Sequence, residues 1–144
     1  MLKGIDSRLT PDALHALASL GHGDSLVIVD GNFPASSVAA STVYQRAVHL
    51  PVSATDALEA VLTLVPIDTY DLEIPPVRGM QVVGEPDAVP EVVHAAAPLF
   101  AASGLRIALI ERHAFYRAAR EAFVVIHTAE SRPYGNFLIR AGVV

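Results

Sequence analysis

LGHGDSLVIVDGNFPA, residues 20–35, sets one short apolar run between two small polar clusters. Leu26, Val27, Ile28 and Val29 follow one another without a break. Successive side chains of a strand point to opposite faces, so this one is apolar on both. A strand buried on both faces needs cover on both sides of its sheet, which is the habit of parallel α/β sheets. The flanking Gly21-His22-Gly23-Asp24 and Asp30-Gly31-Asn32 do not serve burial. They ask for another explanation.

Outward from this strand, helices and strands alternate. Thr10-Pro11-Asp12 is a helix start, with a hydroxyl cap, proline at the first position and an acid in the first turn. Ala13, Leu14, Leu17 and Leu20 recur at helical spacing, and Gly21 supplies the stop. Residues 34–40 read as weakly helical, 43–50 as a second strand, and 55–65 as a helix capped by Thr55-Asp56. Residues 67–79, with Pro75-Pro76, form a loop long enough to border a functional site. A strand over 80–83, a helix over 87–103, a central strand over 107–110 and a helix over 111–121 follow. Strands over 122–128 and 136–143 close the chain, as antiparallel neighbours across a short loop. The expected architecture is α/β: a mostly parallel sheet with helices on both faces, three layers in all. No repeat, linker or low-complexity segment interrupts residues 1–144, which read as one domain.

Composition narrows the function. The chain is 52% hydrophobic and only 17% charged, too apolar to cover a monomer's surface comfortably, so subunit interfaces are expected. A net charge of −5 and a single lysine, Lys3, argue against nucleic-acid binding. Cysteine is absent, which excludes disulfides and thiolate metal sites. The first residues lack an apolar signal core and no run is long enough to span a membrane, so a cytoplasmic protein is expected. The six histidines show no metal-ligand spacing. Nucleotide loops and the Gly-x-Ser-x-Gly elbow are missing too.

Ligands of open α/β sheets gather at the carboxyl ends of the strands. Three clusters fall there: Asp30-Gly31-Asn32, Glu111-Arg112-His113 and Tyr134-Gly135-Asn136. Together they offer a carboxylate, a guanidinium, a phenol and an amide, an inventory suited to vicinal sugar hydroxyls. Taken singly, each has a structural explanation. Asp30-Gly31 makes turns, Arg112 has Glu111 and Glu121 as surface partners, Tyr134-Gly135-Asn136 can be a hairpin tip, and His22 a helix cap.

Several runs resemble the fucose mutarotase and ribose pyranase family. They are Gly21-His22-Gly23-Asp24, Val29-Asp30-Gly31-Asn32-Phe33-Pro34-Ala35, Met80-Gln81-Val82-Val83-Gly84, Glu111-Arg112 with Ala114-Phe115-Tyr116, and Tyr134-Gly135-Asn136. The first and last few residues look alike as well, so the similarity spans essentially the whole chain. Arg112 and Asn32-Phe33-Pro34-Ala35 look like the fucose branch. His113 departs from the pattern, where an aromatic residue is expected. The resemblance implies a cofactor-free, metal-free isomerase that interconverts the α and β anomers of L-fucose. It puts the catalytic group on His22 and the sugar contacts on Asp30, Arg112, Tyr134, Gly135 and Asn136. It further implies ring-shaped homo-oligomers, pentamers or decamers.

The residues suit that chemistry. Mutarotation takes a proton from the anomeric hydroxyl and gives one to the ring oxygen, and imidazole as a class has both forms available near neutrality. Two other readings stand beside it: a ribose pyranase, and a non-catalytic sugar-binding regulatory subunit. The geometry of the opening stretch poses a further question. His22 precedes the strand and Asp30 ends it, roughly 15–20 Å apart for an extended segment of that length. Either residues 21–24 fold back, or His22 meets the sugar site of another subunit.

Overall fold

The computed structural model describes residues 2–71 and 73–144. Its strands are β1 (Ser25–Val29), β2 (Ala47–Leu50), β3 (Val77–Met80), β4 (Ala108–Ile110), β5 (Val124–Thr128) and β6 (Phe137–Arg140). Its helices are α1 (Pro11–Ala18), α2 (Ala35–Ala39), α3 (Ala54–Leu62), α4 (Glu91–Ala101) and α5 (Arg112–Arg120). The six strands form one sheet in the order β2-β5-β1-β6-β3-β4. Three pairings are parallel (β1 with β5, β2 with β5, β3 with β4), while β6 runs antiparallel to both β1 and β3.

The apolar run of β1 does what its pattern demands. Leu26 and Ile28 enter one core with residues of α1, α3 and α4, whereas Val27 and Val29 enter the other with residues of α2 and α5. All four are fully buried. Each side of the sheet thus buries its own apolar layer, the main stabilising term of such a fold. Among the described residues no helix is long and apolar enough to cross a membrane.

Several elements differ from the sequence expectation. The last two strands are antiparallel in sense but not neighbours, because β1 inserts between β5 and β6 and pairs with both. The segment 107–110 forms the edge of the sheet rather than its centre, and Ala108, Leu109 and Ile110 stay partly exposed. Strand β3 lies three residues earlier than expected, since Arg78 and Gly79 interrupt its apolar pattern while their backbones still pair with β4 and β6. The second strand begins only at Ala47; Gln45 sits at φ 61°, which breaks an extended run. Helix α3 is capped by Ser53, whose hydroxyl accepts from the Asp56 N–H, so Thr55 lies inside the helix. Helix α4 begins after Pro90, whose extended backbone leaves 87–89 in the loop. Thr10 caps α1 as expected, accepting from the Ala13 N–H.

Candidate active site

Where β1, β3 and β5 end and β6 begins, the chain encloses an open cavity of about 250 Å³. Asp30, Arg112, Tyr134 and Asn136 all line it, joined by Asn32, Phe33, Met80, Val83, Tyr116 and Pro133.

Asp30 is its hub. One carboxylate oxygen accepts from the backbone N–H groups of Asn32 and Phe33, both at 3.0 Å. The other accepts from the Gly135 N–H at 3.1 Å and the Asn136 side-chain amide at 3.2 Å. Asn136 returns the contact, its Oδ1 accepting from the Asp30 N–H at 3.1 Å. The turn explanation for Asp30 is therefore correct and incomplete, because the same carboxylate ties the loop before β6 to the end of β1. Gly135 is buried in this junction. A Cβ added there would lie 2.9 Å from Glu130 Cγ and 3.3 Å from Asp30 Cβ. Gly135→Ala is expected to lower stability by about 1–3 kcal/mol, the usual range for overpacking. Unchanged denaturant midpoints in the two proteins would refute this.

Tyr134 occupies the left-handed region at φ 62°, an uncommon conformation for a bulky residue and one that clusters at functional sites. Its hydroxyl oxygen accepts from the Val83 N–H at 3.2 Å, which leaves the phenolic proton free to donate to a ligand. Arg112 opens α5. Glu111 caps that helix, its carboxylate accepting from the His113 and Ala114 N–H groups at 2.9 and 3.2 Å. The His113 N–H contributes most to holding the Glu111 carboxyl below its ordinary range. Neither Glu111 nor Glu121 pairs with Arg112, and among the described residues the guanidinium has no ion-pair partner. It is available at the cavity wall. The lining also includes Phe33 and Tyr116, whose rings stack with centroids 5.3 Å apart. Polar groups and aromatic rings in one cavity match the two kinds of surface on a sugar.

Glu130 supports the site from below. It is buried and accepts from Arg132 Nε and Nη2, both at 2.9 Å, and from the Ala54 N–H at 3.1 Å. Its backbone carbonyl accepts from the Gly31 N–H. Arg132 is the main cause holding the Glu130 carboxyl down at about 2. A depressed carboxyl contributes stability above its unfolded pKa, near 4.3, and loses it as pH falls through the folded value. Glu130→Gln should therefore cost stability at pH 7 and progressively less between pH 4 and pH 2. Melting curves across that window check it, and a penalty independent of pH contradicts it.

His22 lies elsewhere. It borders a separate groove of about 350 Å³ with Leu17, Leu64, Val65, Pro66 and residues 141–144, at the opposite end of β1. Its side chain is 52% exposed, and its Nε2 is 3.6 Å from the carboxylate of Asp68, which is 3% exposed. Arg140 Nε meets the same Asp68 oxygen at 2.9 Å. The Tyr70 N–H is the chief cause of the lowered Asp68 pKa, with Arg140 and His22 adding to it. Residues 21–24 do not fold back. Gly23, at φ 86°, donates its N–H to Ala141 and keeps His22 at the start of β1.

Sequence reasoning missed Asp68, Phe33, Met80 and Tyr116 as site residues. Asp68 falls in the long 67–79 loop that was expected to border a site, but an isolated Asp carries no spacing signal. Phe33, Met80 and Tyr116 fall in the runs that carry the family resemblance, which assigned them no role.

The scaffold and cavity define a small α/β protein with a monosaccharide-scale site. The model of the RbsD / FucU transport protein family matches residues 3–144. The fucose mutarotase of Danio rerio is 40% identical over 100% of this chain and 95% of its own length. That of Homo sapiens is 40% identical over 99% and 94%. Among solved structures, the fucose mutarotase of Streptococcus pneumoniae in complex with L-fucose superposes with a TM-score of 0.87 at 28% identity, covering 99% of both chains. The chain belongs to the RbsD/FucU family.

Proposed function

We infer that this chain is a fucose mutarotase, an isomerase that interconverts the α and β anomers of L-fucose. The observation that carries this is the meeting of Asp30, Arg112, Tyr134 and Asn136 in one small cavity, on a chain 40% identical over its full length to fucose mutarotases. Arg112 and the Tyr134 phenol donate to sugar hydroxyls, Asn136 and Asp30 fix the loops that present them, and Gly135 lets those loops close. The Phe33–Tyr116 surface takes the less polar face of the ring.

His22 moves the proton. As the ring opens and the anomeric carbon–ring oxygen bond breaks, His22 takes the proton of the anomeric hydroxyl and a solvent water gives one to the ring oxygen; on closure on the other face both transfers reverse. Because His22 and the cavity occupy opposite ends of β1, the working site joins His22 of one subunit to the cavity of another. A homo-oligomer is thus part of the mechanism. A cytoplasmic location belongs to the same proposal. Asp68, whose carboxylate lies 3.6 Å from Nε2, acts as a positioning residue and leaves Nδ1 for the substrate. Asp68→Asn should lower the saturated exchange rate while KM holds, and should lower the melting temperature too, because the mostly buried Arg140 loses its carboxylate partner. A change in KM alone would contradict that role.

Saturation transfer between the anomeric protons of L-fucose, with D-ribose measured alongside, tests the function. The expected result is faster α/β exchange of fucose than of ribose upon adding protein. Faster ribose exchange would favour the pyranase, and ligand shifts without faster exchange would favour a pure binder.

A further inference from the structure

Two histidines stand side by side where the sheet ends in β2, and neither lines the sugar cavity. His49 of β2 and His127 of β5 are partners in the parallel register, so their side chains share one face of the sheet. Their ring centroids are 5.3 Å apart, with the planes at 61°. Sequence spacing hides the pair, because residues 49 and 127 become neighbours only when β2 and β5 align.

No structural duty accounts for both rings. His49 is exposed and His127 half-buried, and among the described residues no carboxylate pairs with either. A neutral imidazole has one N–H and one lone pair. His127 Nε2 lies 3.4 Å from the Gly31 carbonyl, and the tautomer that donates there leaves the lone pair on Nδ1. Metal-binding histidines are oriented in this way, one ring N–H on a backbone carbonyl and the other nitrogen on the ion. The separation fits as well. Two imidazoles bound to one ion by bonds of about 2.1 Å, at a tetrahedral angle, have ring centres about 5 Å apart.

We propose that His49 and His127 together bind one divalent transition-metal ion of the zinc class, with water in the remaining positions. Imidazole nitrogen suits zinc, copper and nickel, whereas calcium and magnesium take oxygen ligands. Among the described residues no group of three or more His, Cys, Asp or Glu is placed to hold an ion, so the chain supplies two ligands and the ion exchanges with solvent. The ion sits at the carboxyl ends of β2 and β5. The Gly31 carbonyl joins it to the turn in which Asp30 accepts from the Asn32 N–H, so occupation braces that turn. It takes no part in the proton transfer. Because the ligand nitrogens must be unprotonated, binding weakens as pH falls through the ordinary histidine range.

The test is calorimetric titration of chelator-treated protein with Zn2+ alone at neutral pH, with melting temperature measured alongside and circular dichroism to verify folding. Wild type is expected to take one ion per chain and to melt higher with it. His49→Asn and His127→Asn should each weaken binding by more than about 10-fold, the least that losing an outer-shell partner costs. The double variant should lose little beyond either single one, since the two rings act on the same ion. His49→Asn changes an exposed residue and serves if His127→Asn does not fold. His94→Asn, an exposed histidine of α4, should bind like wild type. With Cu2+ in place of Zn2+, the electron paramagnetic resonance spectrum should show couplings to two nitrogens in wild type and fewer in His49→Asn. Absence of Zn2+ binding to wild type, unchanged affinity in His49→Asn, or loss of the ion on changing His22 or His94 instead overturns the proposal.

Discussion

Replacing His22 with asparagine is expected to cut the catalysed anomer exchange of L-fucose by about 100-fold or more, the range that a positioned acid–base group contributes. The fold should not change. His22 is half exposed, and its carboxylate neighbour, Asp68, keeps Arg140 and the Tyr70 N–H when the imidazole is gone. Asparagine approximates the imidazole's reach while losing its ability to take and return a proton at neutral pH. Spontaneous mutarotation persists in solution, so the quantity to compare is the exchange rate above the protein-free baseline. An asparagine variant with correct mass and melting temperature and unchanged exchange would remove His22 from the mechanism.

Arg112→Lys is expected to weaken fucose binding by about 1–3 kcal/mol, the scale of lost charged hydrogen bonds, or roughly 5- to 150-fold in affinity. Lysine retains the positive charge but lacks the planar fork with which arginine can address two acceptors at once. The helix start will tolerate the change, since Glu111 caps α5 through backbone N–H groups that the substitution leaves in place. Loss should appear in KM or in the dissociation constant. Equal affinities by titration would show that Arg112 does not touch the sugar.

The depth of legibility in the sequence followed the strength of the local pattern. Four apolar residues in succession announced β1 and, with it, a sheet covered on both faces. Thr10-Pro11 announced α1. The order of strands was less legible, because it depends on which edges meet in space: β6 packs against β1 and β3, and nothing in residues 137–140 states that choice. The apolar 107–110 run looked central by composition, yet it lies at an edge. In the cavity, Asp30, Arg112, Tyr134 and Asn136 were legible because their types at strand ends make chemical sense together. Asp68 was not, since its meaning comes from Arg140 and His22, neither of them near it in sequence.

The central claim is that His22 of one subunit completes the cavity of another. It is tested by mixing His22→Asn subunits with Arg112→Met subunits, verifying mixed oligomers by mass spectrometry, and measuring fucose anomer exchange at substrate concentrations well below KM. Each parent oligomer lacks one half of every site. Mixed oligomers are predicted to regain a clear part of the wild-type rate, because some interfaces pair an intact His22 with an intact Arg112. Verified mixed oligomers as inactive as their parents would contradict the account and return the whole site to a single chain.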